Sequence, residues 1–147
     1  MKPEIFKEME YTGETISNNP IVLCFDIYKS YPFYIFSLGA HPTAYIVLSE
    51  TDKLYNWCNV DLDNVADVHG GFTYTSNILT GPDYSYVNEY EKKWVIGWDY
   101  GHYCDWTTLM SDEANLMCNN KKWTTQEILD EVCEAIDMIV KYNEEEE

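Results

Sequence analysis

The chain has no arginine, and its nine cationic residues, all lysine, stand against 26 acidic ones for a formal net charge of −17 over 147 residues. Without a guanidinium there is no planar fork for phosphate or guanine. Affinity for duplex DNA comes largely from cations that displace condensed counterions, so the charge argues against direct binding to nucleic acid. No apolar run approaches the roughly 20 residues that span a bilayer, and no membrane association is expected. The five cysteines (Cys24, Cys58, Cys104, Cys118, Cys133) are odd in number and form no C-x-x-C pair. Met1–Glu10 lacks the basic start and apolar stretch of a secretory leader. Free thiols and no leader fit a reducing cytosol. G-x-S-x-G, P-loop and G-x-G-x-x-G motifs are also missing, which removes lipase-type triads, Walker ATPases and dinucleotide folds.

What is present suffices for a core. Hydrophobic residues make up 46% and aromatic ones 16%, with 13 tyrosines, so the chain is no disordered acidic tail. The length implies one domain over 1–147, with a polar lead-in to about residue 19 and an acidic tail from 143 to 147. The electrostatically sensible macromolecular partner is a basic protein, such as the nucleic-acid channel of a defence enzyme. The plainer reading of the charge is that it keeps a tyrosine-rich surface in solution.

Hydrophobic patterning predicts strands at 21–28, 33–38, 43–48, 71–76 and 94–98, with a turn at Lys29–Pro32. A short helix over Glu4–Glu10 is compatible with the lead-in, and 50–67 reads as loop or short helix. Residues 81–92 read as a tyrosine-rich connection and 107–121 as irregular. Thr124-Thr125-Gln126-Glu127 is a capping box. Ile128, Leu129, Val132, Ile136, Ile139 and Val140 then recur at helical spacing, with Asp130, Glu131, Glu134 and Asp137 on other faces. The expected fold class is α+β: a largely antiparallel sheet of about five strands packed against a C-terminal amphipathic helix.

The three histidines lie in G-A-H-P-T-A-Y (His41), D-V-H-G-G-F-T-Y (His69) and G-W-D-Y-G-H-Y-C-D (His102). Histidine is both the neutral-pH acid–base group and the commonest metal ligand. Gly70 and Gly71 permit positive φ and expose backbone N–H groups that suit an anion. The third motif leaves a strand and releases Asp99, His102 and Asp105 at intervals of three, and a carboxylate beside an imidazole fixes its tautomer for base or metal chemistry. The catalytic candidates are therefore His69, His102, Asp99 and Asp105. The ligand-binding candidates are His41, Gly70, Gly71, Tyr74 and Tyr100, and a divalent metal would fall to His69, His102 and Asp105. A Cys104 nucleophile is disfavoured, since immediate neighbours of His102 and Asp105 seldom face one another. The five tryptophans (Trp57, Trp94, Trp98, Trp106, Trp123) read as core or loop anchors. The plain alternative for each histidine motif is a tight turn held by a satisfied side chain.

Taken in order, H-P-T-A-Y-I, V-H-G-G-F-T-Y, W-V-I-G-W-D-Y-G-H-Y-C-D and K-K-W-T-T-Q-E-I-L-D-E-V resemble a family of short proteins encoded by bacteriophages, prophages and other mobile elements. The likeness spans about residues 38–140. It implies a small accessory protein of the bacterial cytoplasm and carries no reaction with it. The family's motif histidines fall on His41, His69 and His102, its glycine pair on Gly70 and Gly71, and its acidic positions on Asp99 and Asp105. A small residue often stands where this chain has Cys104.

Two functions are expected from this combination. One is a His/Asp/Gly-Gly site that binds or hydrolyses a small phosphorylated, nucleotide-like ligand, with a metal, Lys92 or Lys93, or backbone amides countering the local negative field. The other is an acidic inhibitor of anti-CRISPR or anti-restriction type that mimics nucleic acid, with structural histidines.

Overall fold

The computed structural model describes residues 3–12, 20–83 and 85–145. Its strands are β1 (Ile21–Tyr28), β2 (Tyr31–Ser37), β3 (Pro42–Ser49), β4 (Tyr74–Ser76), β5 (Leu79–Thr80), β6 (Ser85–Val87) and β7 (Lys93–Asp99). Its helices are α1 (Asn59–Leu62), α2 (Asp112–Met117) and α3 (Thr125–Glu144). Five strands form one antiparallel sheet in the order β1-β2-β3-β7-β4, and β5 pairs with β6 as a separate hairpin. The α+β class expected from the pattern is the one observed.

Strand alternation divides the sheet into two apolar faces. Phe33, Ile35, Ala44, Ile46, Leu48, Ile96 and Trp98 point to one side and are almost wholly buried under α3. The helix answers with Ile128, Leu129, Val132, Ala135, Ile136 and Ile139. Burying each of the larger side chains contributes about 1.5–3 kcal/mol. The opposite face carries Phe36, Val47 and Val95, covered by Leu79 and Val87 of the β5–β6 hairpin and by Tyr34, Tyr45, Tyr74 and Tyr86.

Several boundaries differ from the sequence pattern. The β1–β2 connection is only Lys29–Ser30, both at positive φ (49° and 74°), as a two-residue hairpin turn with the sheet's twist demands. Pro32 therefore lies inside β2, where it pairs with Ile27 alone because β3 joins only from Phe33 onward. The fourth strand shortens to Tyr74–Ser76, since Gly70 and Gly71 hold the chain in a turn before it. The hairpin at 79–87 and the helix α2 arise where connection and irregular chain were expected. Residues 3–12 form no helix: Phe6 and Lys7 donate backbone bonds to Leu23 O at 2.8 and 3.1 Å, and Met9 is buried. Residues 13–19 of the lead-in and 146–147 of the acidic tail lie outside the described residues. Asn143 and Glu144, placed in that tail, belong to α3. No helix among the described residues is long and apolar enough to cross a membrane.

Candidate functional site

Two loops meet above the N-terminal half of α3. One is the His69–Gly71 turn ahead of β4, and the other is the segment that leaves β7 at Asp99. The second is clamped to the chain before α3: Lys121 N–H donates to Cys104 O (2.9 Å) and Trp106 N–H to Lys121 O (2.8 Å). This clamp brings Trp123 beside His69, with ring centroids 4.8 Å apart.

Asp105 is the hub. It is 3% exposed and accepts from His69 Nε2 (2.9 Å to Oδ1, 2.8 Å to Oδ2), Trp123 Nε1 (2.9 Å to Oδ1) and the His102 backbone N–H (2.9 Å to Oδ2). An ionised carboxylate can only accept, so His69 carries a proton on Nε2 and donates it to Asp105. The His69 ring stacks on Tyr100 (5.0 Å, interplanar angle 3°) and meets His102 edge-on at 5.9 Å.

His102 stands differently. Its Nε2 lies 3.6 Å from Asp99 Oδ1, and its Nδ1 lies 3.9 Å from Asp105 Oδ2, beyond hydrogen-bond reach. Nδ1 is buried without a hydrogen-bond partner, although the side chain as a whole is 35% exposed.

The glycines serve this packing. A Cβ on Gly70 (φ +73°) would sit 2.5 Å from His102 Cε1, so only glycine leaves the ring its place. The expected anion cradle is not what the pair forms. Gly71 N–H donates to Val68 O (2.9 Å) and Phe72 N–H to Asp63 Oδ1 (2.9 Å). The chain's own carboxylate thus occupies the space beside Gly71, at 3.2 Å from a would-be Cβ. The Gly71 and Phe72 amides are therefore already taken.

The remaining candidates separate. His41 packs its ring over Gly101, 2.7 Å from a would-be Cβ, and its Nδ1 donates to Pro42 O at 3.1 Å. It borders the cluster without entering it. Asp99 Oδ1 accepts from Gly101 N–H at 2.9 Å and flanks His102. Tyr100 is fully buried behind His69: its hydroxyl donates to Glu131 Oε1 and accepts from Trp98 Nε1 at 2.9 Å. Burial first, then the Glu131 carboxylate, pushes that hydroxyl far above the usual tyrosine range. Tyr74 does not join the site. It belongs to the opposite sheet face, against Tyr45, with its hydroxyl on Ile78 O (2.9 Å).

Lys92 and Lys93 also stand apart, because Lys92 precedes β7 and Lys93 opens it whereas the site follows it, about 20 Å along the strand. The nearby cation is Lys121, 3.9 Å above the Trp123 ring and 2.8 Å from Glu127. Cys104 is exposed at φ 79° and takes no part in the cluster.

Four contributors escaped the sequence pattern: Glu131, Asp63, Trp123 and Lys121. Glu131 lies off the apolar stripe in the sequence pattern, yet Oε2 accepts from His69 N–H at 3.1 Å while Oε1 holds Tyr100. Its position three residues after Ile128 and four before Ala135, both buried, is the signal that could have placed it at the border of the apolar stripe. No family model, no curated protein and no solved structure matches the chain, so the cluster's chemistry rests on its own geometry.

Proposed function

We propose that this is a small accessory protein of a phage or other mobile element that binds a small phosphorylated, nucleotide-like ligand in the bacterial cytoplasm and hydrolyses it, in opposition to a host defence. The reaction centre is His69, His102 and Asp105, flanked by Asp99. One observation carries the reading: a histidine held by a buried carboxylate faces a second histidine whose buried ring nitrogen has no partner. Such a grouping can activate water next to phosphorus. Water adds, the P–O bond to the leaving group breaks, and the proton from water ends on the leaving oxygen. Lys121 offers a cation at the rim, and Tyr103, 84% exposed beside His102, offers a face for a base.

The test is incubation of the full chain with nucleoside mono- and triphosphates and cyclic nucleotides, with binding read by thermal shift and turnover by chromatography. His102→Ala should lower turnover by about a hundred-fold or more while circular dichroism stays unchanged. Turnover that survives His102→Ala, or a panel that neither binds nor reacts, refutes the proposal.

A second reading draws on the −17 charge and on Asp67, Glu134 and Asp137, which gather at an open cleft beside α3. In it the chain is an acidic, nucleic-acid-mimicking inhibitor of a basic defence protein. Exposed charges are screened beyond about 8 Å at physiological ionic strength, so such a complex must weaken steeply with salt. A salt-insensitive complex contradicts it.

A further inference from the structure

The proposed reading leaves a problem of sign. A phosphate has to approach a chain of charge −17 at a corner where Asp99 and Asp105 meet and where the Gly71 and Phe72 amides are engaged. Lys121 is already paired with Glu127. A cation at the cluster itself would resolve this.

The donors for one are in place. His69, His102 and Asp105 each present a ligand atom, and the three atoms lie within 4.8 Å of one another. His102 Nδ1 is buried, has no partner and faces Asp105 Oδ2 across 3.9 Å. That gap is too wide for a direct hydrogen bond. A tetrahedral ion with bonds of about 2.0–2.2 Å sets its donors about 3.4 Å apart. The 3.9 Å pair would therefore close, and the 2.8 Å pair between His69 and Asp105 open, by roughly half an ångström each, and the His69–His102 pair, within 4.8 Å, would close by up to about 1.4 Å. Outer partners are also present. Asp99 lies 3.6 Å from the far nitrogen of His102, and Trp123 Nε1 anchors Asp105 Oδ1 at 2.9 Å; carboxylates and indoles so placed orient ligands.

We infer that His69 Nε2, His102 Nδ1 and Asp105 Oδ2 hold a divalent first-row metal ion of zinc type. The inference rests on the reading that this cluster is the functional site. Two imidazoles and one carboxylate are a borderline donor set that suits zinc rather than magnesium or calcium, and three protein ligands leave a coordination position open, as catalytic sites require. To bind, the His69 proton moves from Nε2 to Nδ1, and the imidazole–carboxylate hydrogen bond is exchanged for two metal bonds. When bound, the ion supplies the positive charge the site lacks and acidifies water.

The competing zinc ligands are the exposed thiols of Cys58, Cys104 and Cys118, and the test separates them. Zinc binding to the full, metal-free chain is measured by titration against a chelating indicator, with cobalt absorption as the report of coordination. The wild type and a variant with all three thiols changed to serine should each bind one zinc per chain. His102→Ala should lose about a hundred-fold or more in affinity, and Gly70→Ala, which drives the ring from its place without removing a ligand, about ten-fold or more, both with unchanged circular dichroism. The inference is overturned if the wild type binds no zinc, if His102→Ala binds it unchanged, or if the thiol variant loses it. Nucleotide binding by metal-free protein is read separately. Its persistence without zinc binding sinks only the metal, and zinc binding without any nucleotide response sinks only the ligand.

Discussion

Replacing Asp105 tests the hub on which every feature of the corner depends. Asp105→Ala removes the acceptor for His69 Nε2–H, Trp123 Nε1–H and the His102 backbone N–H at a position 3% exposed. Each donor left without a partner costs about 1–3 kcal/mol. Water can reach part of the way in, because the His69 and His102 side chains are 24% and 35% exposed. The total should therefore sit near the ~3–5 kcal/mol that follows removal of one partner from a buried pair. With a urea slope of about 2 kcal/mol/M for a domain of this size, the unfolding midpoint should fall by roughly 1.5–2.5 M. Asp105→Asn keeps the shape and one acceptor oxygen but sets an NH₂ against one of the donors, and should lose about half as much. The assay is equilibrium urea unfolding followed by tryptophan fluorescence and circular dichroism. A midpoint shift below about 0.5 M for Asp105→Ala would mean that the carboxylate anchors nothing, and the hub argument fails.

Two further outcomes follow from buried hydroxyls and thiols. Tyr100→Phe leaves Trp98 Nε1–H and Glu131 Oε1 without their shared partner in a fully buried position. It should cost about 1–3 kcal/mol, and an unchanged urea midpoint would contradict the bond. Burial pushes the Cys24 thiol up to about 12, and Tyr100, Tyr11 and Tyr31 are raised too, in each case first by burial. These groups keep their protons in the folded chain after the unfolded chain has lost them. Their contribution is complete below about pH 8 and is lost as pH rises, first through Cys24 and then through the tyrosines. The urea midpoint should fall between about pH 8 and about pH 10.5, and a flat profile would count against it. At mildly alkaline pH iodoacetamide should label Cys58, Cys104 and Cys118 ahead of Cys24.

Elements whose stabilising partners are close in sequence could be read from the residues alone. The Thr124/Glu127 capping box forms both reciprocal bonds, Glu127 N–H to Thr124 Oγ1 at 3.2 Å and Thr124 N–H to Glu127 Oε1 at 2.9 Å. The strand at Ile21–Tyr28 has the predicted bounds, because a run rich in β-branched and aromatic residues lies between Pro20 and the turn. Helix α2 escaped because a polar residue organises it. Asn115, wholly buried, donates to Thr107 O and Ser111 O and accepts from Thr107 N–H, where a pattern search looks for an apolar stripe. The β5–β6 hairpin escaped because strands of two and three residues are too short to show alternation.

At the candidate site, residue types were legible and company was not. Motif chemistry singled out His69, His102, Asp99 and Asp105, which the fold does gather. The same reasoning grouped Tyr74 with them, and a strand's alternation sends it through the sheet to the other face. Lys92 and Lys93 were weighed as local cations and lie at the wrong end of β7. Local propensity, capping and alternation act over a few bonds, and those the chain determined by itself. Which carboxylate meets which imidazole depends on loop closure across 36 residues between His69 and Asp105 and on helix packing that turns Glu131 inward. Only the tertiary structure decided that, because the energies involved are contacts between segments that no local pattern encodes.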